Sequence, residues 1–147
     1  MKKFITLFSL VLGLITVMSC SHSSKPIDYG NDGCHFCKMT IVDKIHGAEL
    51  ITDKGKVFKF DAAECMINYV ANGNKVEVAS FLTNHYDEPT ALISATEASF
   101  LISENLPSPM GAYLTAFKST ASAEKVKAEK GGKIYTWNAL KTHLQKE

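Results

Sequence analysis

The sequence predicts an α+β fold made of two related ββα(β) units with antiparallel sheets, and three observations carry that prediction. Short runs rich in β-branched and aromatic residues alternate with helically spaced ones. A turn signal, Asp53-Lys54-Gly55, joins two such runs as a hairpin. Gly55 to Ala62 also lines up with Gly132 to Ala139, position by position through the aliphatic, aromatic and N-cap residues.

Taken in order, the chain opens with a segment expected not to fold. Lys2 and Lys3 precede an apolar run from Phe4 to Val17, the layout of a signal peptide over residues 1–19. Val17-Met18-Ser19-Cys20 resembles a lipobox, so Cys20 is the expected lipidation site and Ser21 behind it favours the outer membrane. Residues 20–33, rich in Ser, Pro, Asp and Gly, read as a flexible stalk. The folded body is expected over 34–147 as two pseudo-repeats, about 34–84 and 98–147. In the first, strands are expected at 39–43, 47–52 and 56–60. Asp61 and Glu64 form a capping box opening a helix that ends at Asn72-Gly73, and another strand covers 76–84. In the second, Gly47 to Leu50 matches Gly111 to Leu114, a strand covers 98–103, and residues 118–130 look like a helical insertion. Asn138 takes the N-cap place of Asp61.

Composition removes several function classes. Once Lys2 and Lys3 leave the 16 basic residues, 14 remain against 15 acidic ones, which gives no electrostatic footprint for nucleic acid. Every basic residue is lysine, so the bidentate guanidinium forks that recognise phosphate are absent.

The residues able to carry chemistry are few and soft. They are Cys34-His35-Phe36-Cys37-Lys38-Met39, Cys65-Met66 and Pro109-Met110-Gly111. Thiolate and thioether are polarisable donors that suit cuprous copper, Cu(I), and not the hard cations. The expected ligands are Cys34, Cys37, Met39 and Met110, with Cys65, Met66, His35 and His46 as lesser candidates. Neighbours on a helix point about 100 degrees apart, so Cys65 and Met66 do not both face one site. A c-type haem motif is excluded because Lys38 follows Cys37. Two other readings of the pair stay open: an exported thiol-disulfide oxidoreductase, weakened by the strand-forming Thr40-Ile41-Val42 behind it, and a disulfide that merely braces a lipoprotein.

Cys34-x-x-Cys37-x-Met39 after a lipoprotein stalk, with Met110-Gly111 some seventy residues on, resembles the nitrous oxide reductase accessory protein NosL family across the mature chain. The resemblance implies a fold related to part of organomercurial lyase, which leaves a mercury-carbon lyase as a further enzymatic alternative. It also implies a non-enzymatic, lipid-anchored copper chaperone facing the periplasm. Such a protein would supply Cu(I) for the copper centre of nitrous oxide reductase, or for another cuproprotein, beside a copper-handling membrane transporter.

Overall fold

The computed structural model describes residues 23–146. The expected leader, the lipidation cysteine Cys20 and Ser21 lie outside that range.

Each of two units repeats one topology. In the first, β1 (Ala48–Thr52) and β2 (Val57–Phe60) form the hairpin expected from sequence, α1 (Ala63–Ala71) follows, and β3 (Val78–His85) returns on the far side of β1. In the second, β5 (Ser99–Ile102), β6 (Leu114–Phe117), α2 (Thr120–Lys130) and β7 (Lys133–Thr136) follow the same course. Both sheets are antiparallel and pair their first strand on both sides, as β2-β1-β3 and β6-β5-β7. The registers correspond as well: Ala48 lies opposite Phe60 and Thr83, as Ser99 lies opposite Phe117 and Thr136. To this plan the chain adds β4 (Glu88–Ser94) at one edge and a final helix, α3 (Trp137–Leu144).

The α+β class with two antiparallel sheets is as expected, but the residue matching behind the repeat is out of phase. Gly55 to Phe60 leads into the second strand of the first unit, whereas Gly132 to Thr136 leads into the third strand of the other. What those segments share is local, a short strand running into a helix. Residues 118–130 are therefore no insertion, because α2 occupies the place that α1 holds in the first unit. Ser119 caps α2 by accepting from the Ser122 N–H at 3.1 Å, and Gly131, with φ of +69°, ends it.

Four local expectations are corrected. Thr40-Ile41-Val42 forms no strand; only a single bridge joins Thr40 to Gly33, and Ile41 is buried as an anchor. The capping box does not form, since the N-cap of α1 is Ala62 and makes no side-chain bond. Asn138 likewise lies inside α3, whose N-cap is Thr136. The fourth correction concerns the stalk, which from Ile27 onward is a packed strap. Ile27 is buried, Tyr29 Oη donates to Asn84 Oδ1 at 2.8 Å, and Lys59 Nζ reaches the Pro26 carbonyl at 2.7 Å and Asp32 Oδ2 at 2.5 Å. Ile27 and Tyr29, the two apolar side chains of that segment, find a sheet to cover and so order it.

One core joins the units. Leu50, Phe60, Met66, Phe100, Leu140 and Trp137 belong to a single apolar cluster, and Trp137 stands 5.2 Å from the Phe81 ring and 5.8 Å from Phe100. Each such ring contributes about 1.5–3 kcal/mol of burial, so this seam is a substantial joint between the two sheets. Beneath α2 a smaller cluster holds Leu101, Phe117 and Ala123.

A candidate soft-metal centre

Where the strap ends, the chain makes a tight loop. The Cys34 N–H donates to the Met39 carbonyl at 2.8 Å and the Lys38 N–H to the Cys34 carbonyl at 3.1 Å. Lys38 takes a left-handed φ of +67°, uncommon outside glycine, and its Nζ donates to the His35 carbonyl at 2.6 Å. This closure brings Cys34 and Cys37 to one side. Cys65, in the first turn of α1, meets them there, and the three Sγ atoms lie within 4.8 Å of one another. All three are free thiols. Among the described residues they are the one group of three or more His, Cys, Asp or Glu ligand atoms spaced for a single ion.

The thiols differ electrostatically. Cys34 Sγ accepts from the Cys65 thiol and from the backbone N–H groups of Asp61, Cys37 and Phe36. Together these outweigh its burial and hold it far below the ordinary thiol range, at about 4. Burial pushes Cys37 up, against the Met39 N–H bonded to its sulfur. Cys65 is raised because it donates to Cys34, and burial adds to this. The apo site is thus one thiolate steadied by a neighbouring S–H, a geometry that a monovalent soft cation completes by displacing the remaining protons.

Polar groups crowd behind the sulfurs. Asp61 and Glu64 are buried, and burial raises both carboxyls. Glu64 Oε1 accepts from Ser108 Oγ at 2.9 Å, which ties the turn bearing Met110 to the helix bearing Cys65. The capping box failed for this reason: Asp61 lends its backbone N–H to Cys34, and Glu64 serves the neighbouring turn.

The other sequence candidates fall in three classes. Met39 and Met110 are surface thioethers, 55% and 37% exposed, and neither fills core. Met66 is fully buried in the apolar cluster, so of the Cys65-Met66 pair it is the cysteine that meets the other thiols. Neither histidine joins the thiols. His46 is buried with Nε2 at 3.0 Å from Thr115 Oγ1 and Nδ1 at 3.0 Å from Asp43 Oδ1. His35 instead closes the outer edge of β2: its N–H donates to the Lys59 carbonyl at 2.9 Å, and its Nδ1 accepts from the Lys59 N–H at 3.1 Å.

Sequence reasoning ranked Cys65 below Cys34 and Cys37 because periodicity could not orient it. Cys65 and Met66 are adjacent and both buried, and only tertiary contact separates the thiol that meets Cys34 from the thioether that fills core. The available signal was the third mature cysteine itself, unmatched once Cys34 and Cys37 are paired off.

Comparison with known proteins gives the family and the fold. A family model described as NosL matches residues 27–145. A solved structure, the crystal structure of the copper chaperone NosL from Shewanella denitrificans, is similar to this one with a TM-score of 0.70 at 22% sequence identity, over 80% of this chain and 94% of that one. A search of curated proteins gave no match.

Proposed function

This chain belongs to the NosL family, and from that premise we propose that it is a copper carrier, not an enzyme, which holds Cu(I) on Cys34, Cys37 and Cys65 and yields it to another protein. The observation that carries the proposal is the convergence of three thiols from two separate segments within 4.8 Å. Soft sulfur donors and low coordination number are what cuprous copper selects. The exposed thioethers of Met39 and Met110 are assigned as accessory ligands that meet the ion on its way in or out. The solved relative, named as a copper chaperone, supports the same cargo.

The finer reading follows from the family resemblance. The recipient is nitrous oxide reductase, whose copper centre needs the metal, or a comparable cuproprotein served beside a membrane transporter. Removal of residues 1–19 and acylation of Cys20 tether the carrier to the outer membrane, facing the periplasm. A nitrous oxide reductase encoded close to this gene would support that recipient, and none there would favour another.

A thiol-disulfide couple would draw on the same Cys34 thiolate. Such a couple has no use for a third thiol bonded to Cys34, whereas a soft cation does, so the carrier reading is preferred.

The test is a titration of the reduced protein with Cu(I) against a competing chelator. The wild type takes up one ion per chain, the variant with all three cysteines replaced by Ser takes up none, and Met110→Ala binds more weakly. Unchanged affinity without the cysteines refutes the site, and unchanged affinity in Met110→Ala removes Met110 from it.

A further inference from the structure

The three sulfurs sit at different depths. Cys34 is 2% exposed and Cys65 0%, while Cys37 is partly open to solvent. They are also held differently. Cys34 is fixed by two backbone bonds, its N–H on the Met39 carbonyl and its carbonyl under the Lys38 N–H, and Cys65 is rooted in a helix whose next two residues, Met66 and Ile67, are buried. Cys37 stands in the solvent-facing part of the loop, between half-buried Phe36 and exposed Lys38. The Met39 N–H touches its sulfur, and the Met39 side chain is more than half exposed, so the chain next to Cys37 lies on the face that another protein can reach.

We infer that Cys37 is the exchange ligand of the site, the one an acceptor displaces first, while Cys34 and Cys65 form an inner pair that keeps the ion until the acceptor supplies a second sulfur. This rests on the carrier reading above. In the first step a thiol of the acceptor forms a sulfur–copper bond as the Cys37–copper bond breaks. The proton released by the incoming thiol passes to the departing Cys37 sulfur. Copper remains cuprous throughout, and no electrons are transferred. Because Cys34 and Cys65 are enclosed, an acceptor bringing a single thiol stalls at the mixed complex. The partner chemistry that fits is therefore a protein presenting two sulfur ligands close together, the second replacing the inner pair once the first is bound.

The experiment uses the full chain loaded with one equivalent of Cu(I), and follows both retention against a chelator and the rate of transfer to a dithiol peptide. Cys37→Ser is expected to keep the ion with affinity within about tenfold of wild type, yet to transfer it at least about tenfold faster, because no sulfur–copper bond has to break before the acceptor's first thiol binds. Cys34→Ser and Cys65→Ser are expected to lose affinity by about a hundredfold or more. A Cys37→Ser protein that retains copper and transfers it at the wild-type rate or more slowly overturns the inference, as does one that loses as much affinity as the other two. If all three variants bind as the wild type does, the cysteine site itself falls and the order with it. A measurement on unmutated protein guards against misfolded variants: limited alkylation of the apo chain with a bulky maleimide, read by mass spectrometry, should label Cys37 first. First labelling at Cys34 or Cys65 overturns the assignment.

Discussion

Glu49 offers a sharp test of how the strap is held. Its carboxyl sits on β1, fully buried, with no hydrogen-bonding side chain on either oxygen, opposite Lys59 in the register. Burial raises it from the ordinary 4.5 to about 7. The Lys25 backbone N–H and the Lys59 charge oppose that rise, and the Asp32 charge adds to it. Below pH 4.5 the carboxyl is protonated in both folded and unfolded chains, and the stability of the neutral form is fully present. Between 4.5 and 7 the unfolded chain ionises first, so stability falls as pH rises. Above 7 the whole penalty is in place. At about 1.36 kcal/mol per pH unit that penalty reaches about 3 kcal/mol, and screening by water at the strap margin reduces it to about 2 kcal/mol. Glu49→Gln keeps the shape and cannot ionise. In urea unfolding of the reduced, metal-free protein, the variant should match wild type near pH 4.5 and exceed it by about 2 kcal/mol at pH 8. Asp61 and Glu64 contribute in the same direction to both proteins, so the difference between the two curves isolates Glu49. Parallel curves between pH 5 and 7.5 would refute the reasoning.

Two further outcomes are expected. Trp137→Ala removes the ring packed between Phe81 and Phe100 and should cost about 3–5 kcal/mol in urea unfolding, with loss of one cooperative transition if the sheets separate; a cost under about 1 kcal/mol would show that the seam is not a substantial joint. At pH 6 the apo protein should show the ultraviolet absorbance of one thiolate, since Cys34 is ionised above about 4. That absorbance should disappear in Cys34→Ser and on acidification below the Cys34 value, and its persistence in the variant would place the charge elsewhere.

The class of fold was legible in the sequence because its signals are local. Gly55 closes the β1–β2 hairpin with φ of +75°, a conformation glycine adopts without strain, and Asn72-Gly73 ends α1 where expected. The phase of the repeat was not legible. A strand followed by a helix looks the same whether the strand is second or third in its unit, and only long-range pairing tells them apart. β4 was missed because Glu88 and Pro89 open it, and proline argues against a central strand. It is in fact an edge. At the site, the Cys34 to Met39 motif declared itself by ligand type. Its third thiol did not, because the 31 positions from Cys34 to Cys65 are bridged by tertiary packing, which no short pattern encodes. His46 and His35 look like ligands in a sequence, yet their ring nitrogens serve Thr115 and Asp43 in one case and a backbone N–H in the other.

The bond between His35 and Lys59 has a consequence of its own. A sheet margin with bare donors and acceptors recruits strands from other molecules, and here the loop from Cys34 to Met39 occupies that margin by lending an imidazole and an amide where a neighbouring strand would sit. The same six residues that present Cys37 therefore also cover the β2 edge at Lys59. A loosening of this loop wide enough to bare Cys34 would uncover the β2 edge as well, so a carrier caught fully open is also one primed to aggregate, and release by stepwise substitution at the surface avoids that state.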